Sequence, residues 1–98
     1  MNSKMKNEHT DKLFNAILTL KNVEECYNFF EDLCTISEIK AMAQRFEVAK
    51  MLKEQHVYSD IANATGASTA TISRVSRCLN YGSEGYRTAL ERLEQKDG

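Results

Sequence analysis

Apolar residues recur at three- and four-residue intervals along most of the chain, which is the spacing of amphipathic helices. A first stripe starts near Thr10 and consists of Leu13, Phe14, Ile17 and Leu20. After Asn22, a second stripe consists of Val23, Cys26, Tyr27, Phe30, Leu33 and Cys34. The pattern predicts two N-terminal helices, and the aromatic-rich second stripe suits either a core or a dimer seam.

The segment Thr35-Ile-Ser-Glu38 has the spacing of a capping box, in which a hydroxyl and a carboxylate each satisfy a free backbone N–H. It predicts the start of a third helix, which ends near residues 54–56. The apolar face predicted for this helix consists of Ile39, Met42, Ala43, Phe46 and Ala49.

Three more helices are predicted in the rest of the chain. A short fourth helix covers 58–65 with Ser59 at its start, and a fifth begins at Ser68 or Thr69 and reaches about Leu79. After the break at 80–82, Ser83 is predicted to cap a sixth helix that carries Tyr86, Ala89, Leu90 and Leu93. The fold class is therefore all-α with six helices, in a single domain over 1–98 whose residues 1–9 are frayed.

The segment from about 58 to 79 meets the requirements of a helix-turn-helix. Two short helices that approach closely need a small residue on the inner face, as Ala62 provides, and Gly66 suits a turn with positive φ. Ile72 and Val75 lie on one face of the second helix, where they can pack against Ile61 of the first. An ordinary helical hairpin with a glycine cap would share this spacing, so the spacing by itself does not separate the two.

The distribution of charge strengthens the signal. The formal net charge of the 98-residue chain is −1, yet no acidic residue occurs from Ile61 to Ser83, where Arg74 and Arg77 are found. Carboxylates near phosphates would repel them, so an acid-free basic face suits a polyanion. Chance in a short window is the alternative.

The predicted reading face is the start of the fifth helix, where short polar side chains could reach base edges in a major groove. Its residues would be Ser68, Thr69, Ala70, Thr71 and Ser73, with the methyl groups of threonine and alanine available to thymine. Arg74 and Arg77 lie one turn further on, where phosphate or guanine could be met.

Catalysis, metal binding and cofactor binding find no support in the sequence. There is no glycine-rich phosphate loop or nucleophile elbow, and the two histidines and three cysteines do not have zinc spacing. The odd number of cysteines, without CxxC, favours reduced thiols and a cytoplasmic location, with Cys26 and Cys34 in the core. No apolar run is long enough for a membrane span. The protein is therefore predicted not to be an enzyme and to need no cofactor.

The stretch TISEIKAMAQRFEVAKMLKEQHVYSDIANATGASTATISRVSRCL, residues 35–79, resembles the Trp repressor family, in particular its YerC-like branch. The resemblance rests on the capping box, Arg45 in the third helix, and GASTATISRVS as turn and reading helix. It implies a six-helix chain that forms an intertwined homodimer, with two reading heads in successive major grooves about 34 Å apart.

The resemblance also implies a ligand site. In the tryptophan-sensing members, L-tryptophan lies between two arginines that match Arg45 and Arg74, and the segment at Thr35 lies near its amino group. Here, however, Val75 stands where those proteins have glycine, Cys78 replaces a serine, and the basic residues of the first motif helix are absent. A branched side chain would fill the space that the indole needs. A smaller amino-acid-like ligand or none is expected, and an ion pair with a nearby glutamate is the alternative role of Arg45.

The sequence therefore predicts a repressor that binds double-stranded DNA as a homodimer. The alternative is a helical module that binds a partner protein and never contacts DNA.

Overall fold

The computed structural model of the chain describes residues 4–97, in which six α-helices and no strands are found. Their bounds are α1 Glu8–Ile17, α2 Val23–Leu33, α3 Ile36–Lys53, α4 Tyr58–Thr65, α5 Thr69–Tyr81 and α6 Gly85–Asp97. The all-α, six-helix prediction is confirmed. None of the helices in this part of the chain is long and apolar enough to cross a membrane.

The chain divides into two compact units, Met1–Ile36 and Ser37–Gly98. The single domain over 1–98 therefore stays a prediction. The expected frayed segment lies partly outside the described residues. Within them, Glu8 and His9 are already helical, because the Asn7 side chain caps α1 by accepting from the Thr10 N–H at 2.9 Å.

The first unit holds α1 and α2, and neither helix has a buried residue. Asn22 caps α2 by accepting from the Glu25 N–H at 2.8 Å. Several large apolar side chains of this unit are exposed, including Leu18 (80%) directly after α1, and Val23 (71%) and Tyr27 (65%) on α2. Cys26 and Cys34 are half-buried free thiols, so their predicted place in a buried core is wrong.

The second unit contains the hydrophobic core, built by α3, α4, α5 and α6. Its buried members are Val48, Ala49, Ile61, Ala67, Ile72, Val75 and Leu90. The face predicted for α3 is partly wrong, because Met42 and Ala43 are exposed and the unpredicted Val48 is fully buried. Apolar residues occur all around α3, so the helices that pack on it decide which of them are covered.

The predicted Ser83 cap of α6 is also wrong. The helix begins at Gly85, and its first turn is closed by a bond from the Thr88 N–H to the Glu84 carbonyl oxygen at 3.0 Å. Glu84 adopts a positive φ of 66°, which turns the chain into α6 one residue after Ser83. Two other bounds agree with the sequence: α3 begins directly after Thr35 and α4 covers 58–65.

Candidate nucleic-acid interface

The turn between α4 and α5 is held by Gly66 and Thr65. Gly66 caps α4 in the left-handed conformation (φ 74°, ψ 5°), and its N–H donates to the Ala62 carbonyl oxygen at 2.9 Å. The Thr65 hydroxyl donates to the Ile61 carbonyl oxygen at 2.7 Å and accepts from the Ala67 N–H at 3.1 Å. The predicted role of Gly66 is confirmed, because a positive φ is the conformation that glycine adopts at no steric cost.

The start of α5 is fixed by Ser68. Its hydroxyl accepts from the Thr71 N–H at 3.1 Å and donates to Thr71 Oγ1 at 3.1 Å. Of the two caps that the sequence left open, Ser68 is thus the cap and Thr69 is the first helical residue. There is no acidic residue in the first turn of α5, so its partial positive charge is not neutralised by its own side chains.

One face of α5 anchors the helix to the core. Ile72 and Val75 are each 1% exposed, and Leu79 is also buried. Ile61 of α4 is fully buried in the same cluster, and Ala62 packs against it. The predicted packing of α5 on α4 is therefore confirmed, and the orientation of the rest of α5 follows from it.

The opposite face of α5 is turned to solvent. Residues 70, 74, 77 and 81 fall within about 60° of one another around a helix with 3.6 residues per turn. Ala70, Arg74, Arg77 and Tyr81 are all exposed. We call these four residues the outward stripe. Within residues 4–97 neither arginine of the stripe has a hydrogen bond or an ion pair, and both guanidinium groups are available to a ligand.

The remaining predicted DNA-contacting residues flank the outward stripe. Ser68 and Thr69 are exposed, while Thr71 and Ser73 are half-buried. The hydroxyl groups of Ser68 and Thr71 are hydrogen-bonded to each other. The side chains of Thr69 and Ala70 are therefore more available to a ligand at the start of the helix. The sequence-predicted residues are thus brought together at one end of α5, but they are not equally exposed.

The carboxylates that form ion pairs with lysine or histidine side chains lie outside this face. The ion pairs recorded among the described residues are Lys12–Glu8, Lys53–Glu94 and His56–Glu54. None of them involves α5, and α5 itself contains no acid. The charged side chains that α5 itself carries are therefore all positive, although the chain as a whole is slightly acidic.

The three residues of the implied ligand site belong to different units of the chain. Arg45 is half-buried in α3 and has no ion pair among the described side chains, so the alternative pairing with a glutamate is not found. Arg74 is exposed on α5, and Thr35 is exposed in the first unit. Val75 is part of the buried core, and Cys78 is an exposed free thiol.

Two residues of this region were missed by sequence reasoning. Gln44 of α3 donates from Nε2 to the Thr65 carbonyl oxygen at 3.1 Å, which ties α3 to the turn. Tyr81 lies in the last turn of α5, whereas the sequence placed the helix end near Leu79. Tyr81 lies four residues after Arg77 and seven after Arg74, a spacing that places it on the same helical face, but the adjacent Gly82 is typical of a helix end.

Metal-ligand clusters of three or more side chains are absent from residues 4–97.

Comparison with known proteins agrees with this geometry. The Trp repressor protein family matches residues 8–94. The uncharacterized protein YerC of Bacillus subtilis is 57% identical over 94 residues, which cover 96% of this chain and 90% of that protein. A Trp operon repressor homolog of Chlamydia caviae is 32% identical over 80 residues, covering 81% and 79%.

A solved structure shows the same fold. The crystal structure of a TrpR like protein from Eubacterium eligens is 60% identical and superposes with a TM-score of 0.91, covering 95% of this chain and 96% of that one. The family consists of transcription regulators and not of enzymes, as the sequence predicted. From the family match and these relatives together, the chain belongs to the Trp repressor family.

Proposed function

We propose that this protein is a transcription regulator, acting as a repressor, that binds duplex DNA in a sequence-specific manner with α4 and α5 as its helix-turn-helix. The observation that carries the proposal is the outward stripe of α5. Two arginines without carboxylate partners lie on the exposed side of a helix whose other side is anchored in the core. Such a face attracts phosphates and can be held at a defined depth in a major groove.

Different residues along α5 would contact different parts of the DNA. Thr69, Ala70 and Ser73 are short enough for base edges to approach, and Ser68 and Thr71 hold the first turn in shape. The positive end of the helix dipole, free of acids, favours a phosphate near Ser68. Arg74 and Arg77 would contact phosphate or guanine, with Arg77 four residues beyond Ser73.

We further propose that the DNA-binding form is a homodimer. The exposed apolar side chains of the first unit, among them Leu18, Val23 and Tyr27, support this because soluble proteins rarely leave large apolar patches in water. A two-fold symmetric pair of α5 helices would enter successive major grooves and select an operator with matching symmetry.

L-tryptophan is not part of this proposal. Val75 is 1% exposed and packs in the core beside Ile72, so the space that a glycine would leave next to Arg74 is filled. Any ligand held by Arg45 and Arg74 would be smaller than tryptophan, with a carboxylate to which an arginine can donate two hydrogen bonds. Isothermal titration should detect no binding of L-tryptophan, and DNA affinity should be the same with and without it.

Selection of bound duplexes from a random DNA pool tests the function directly. Enriched sites with two-fold symmetry are expected, and the affinity for the best site should fall steeply as salt is raised. Arg74→Ala and Arg77→Ala should each weaken binding and lower the salt slope by about one, with the fold intact. Arg92→Ala, an exposed arginine of α6, is the matched control and should bind like the wild type.

A flat salt dependence together with no enriched site would contradict DNA binding. The protein would then fit the alternative of a helical module for a partner protein.

A further inference from the structure

Tyr81 is an exposed aromatic residue that the packing of the protein does not use. It is 87% exposed, the largest exposed fraction among the large hydrophobic residues of the described chain. Its phenol has no hydrogen bond within residues 4–97. Its ring therefore offers a large apolar surface to a ligand, and its hydroxyl remains available as a hydrogen-bond donor.

The position of Tyr81 relates it to the two unpaired arginines. It lies four residues after Arg77 and seven after Arg74, so it continues the outward stripe by one turn. Leu79, two residues earlier, is buried on the opposite side of α5 and fixes the direction in which the stripe points.

The end of α5 that carries Tyr81 is held on two sides. The Gly82 N–H donates to the Cys78 carbonyl oxygen at 2.8 Å, and Arg87 of α6 donates from Nε to the Leu79 carbonyl oxygen at 2.9 Å. These bonds satisfy carbonyl groups that a helix end would otherwise leave free. Tyr81 is therefore presented by an ordered last turn and not by a fraying end.

The distance along α5 indicates which part of DNA Tyr81 would meet. At 1.5 Å per residue, Tyr81 lies about 16 Å beyond Ala70, whereas the major groove is about 12 Å wide. If the first turn reads base edges, the last turn has reached the wall of the groove. Phosphate and sugar are found there, and a phenol can donate to a phosphate oxygen while its ring packs on the sugar.

We infer that Tyr81 is a further DNA contact of this protein, a neutral one that donates its phenolic hydrogen to a backbone phosphate beside the segment read by the start of α5. This inference rests on the proposed function. It adds a contact of a different kind from those of Arg74 and Arg77, because an uncharged donor releases no counterion when it binds phosphate.

That difference supplies the test. The full chain is titrated with a 40-base-pair duplex of mixed sequence over a series of KCl concentrations, so that no operator need be known. Tyr81→Phe removes only the donor and should weaken binding roughly five- to tenfold at every salt concentration, leaving the salt slope unchanged. Arg77→Ala should instead lower the slope by about one.

Tyr86→Phe is the matched control, since it also removes only a phenolic hydroxyl but lies on α6, outside the proposed DNA-contacting residues. It should bind like the wild type. Wild-type affinity in Tyr81→Phe would overturn the inference, whatever the affinity of Tyr81→Ala, while leaving the proposed function intact. If the wild-type protein itself shows no salt-dependent DNA binding, the proposed function is overturned.

Size-exclusion chromatography tests whether Tyr81 lies in a protein interface instead. A shift of the oligomeric state in Tyr81→Ala, with the DNA affinity of the remaining oligomer unchanged, would place Tyr81 in a protein interface and overturn the inference.

Discussion

The side-chain amide of Gln44 in α3 donates a hydrogen bond to the backbone carbonyl oxygen of Thr65 in α4, over 3.1 Å. Thr65 is the last residue of α4, where helical carbonyl groups lose their partners. The bond therefore completes the end of α4 from a different helix. It also sets the turn at Gly66, because the carbonyl that is fixed immediately precedes that residue.

Replacement of Gln44 by alanine should loosen this turn. The Thr65 carbonyl would lose its half-buried partner, and we expect the free energy of unfolding to fall by about 1 kcal/mol. Urea denaturation followed by circular dichroism measures the change. Gln95→Ala, at an exposed position of α6, is the control and should change stability by less than about 0.5 kcal/mol. Equal stabilities of the two variants would show that the bond contributes nothing.

The free-energy cost of a positive φ at Gly66 can be measured with Gly85 as the matched control. At Gly66 an added Cβ has space, since its nearest neighbour is Gln44 Nε2 at 3.9 Å, so the cost of Gly66→Ala comes from the φ of 74°. We expect a loss of about 1–2 kcal/mol, and a smaller loss for Gly66→Asn. Gly85→Ala, with nothing within 4 Å and no positive φ, should be neutral or stabilising. Thermal unfolding of the three variants checks this order, and a neutral Gly66→Ala would contradict it.

Gly82 is required for a different reason. A Cβ built at Gly82 would overlap the Cys78 carbonyl oxygen and come within 3.0 Å of Cys78 Cα. Backbone atoms cannot move aside as a flexible side chain can, so Gly82→Ala should destabilise the protein by about 1–3 kcal/mol. Chemical denaturation measures the loss, again with Gly85→Ala as the control. A variant as stable as the wild type would mean that the α5–α6 connection relaxes freely.

The two serines that the sequence proposed as caps should behave differently. Ser68 accepts from the Thr71 N–H, so Ser68→Ala should cost about 1 kcal/mol of stability. Ser83 lies two residues before α6 begins, and Ser83→Ala should be within about 0.5 kcal/mol of the wild type. Parallel melting curves of the two variants test the assignment. A larger loss in Ser83→Ala than in Ser68→Ala would reverse it.

Much of this protein follows from local sequence. The interruption at Asn22, the cap at Ser68, the glycine at 66 and the three-and-four spacing of apolar residues are sufficient to place six helices nearly at their observed bounds. These signals are local, because a cap or a turn depends on groups within about one helical turn. The same reasoning identified Ile61, Ile72 and Val75 as the residues that hold α4 and α5 together.

Other features were decided only by the tertiary structure. The burial of Val48 in place of Met42, the bond from Gln44 to Thr65 and the bond from Arg87 to Leu79 all depend on which helices meet. Tyr81 became part of the outward stripe because Arg87 and Gly82 stabilise two further residues of helix after Leu79. The sequence alone determined which residues could form each helix and where charge was absent. Packing between distant segments determined which faces were covered, because burial depends on neighbours that no local pattern specifies.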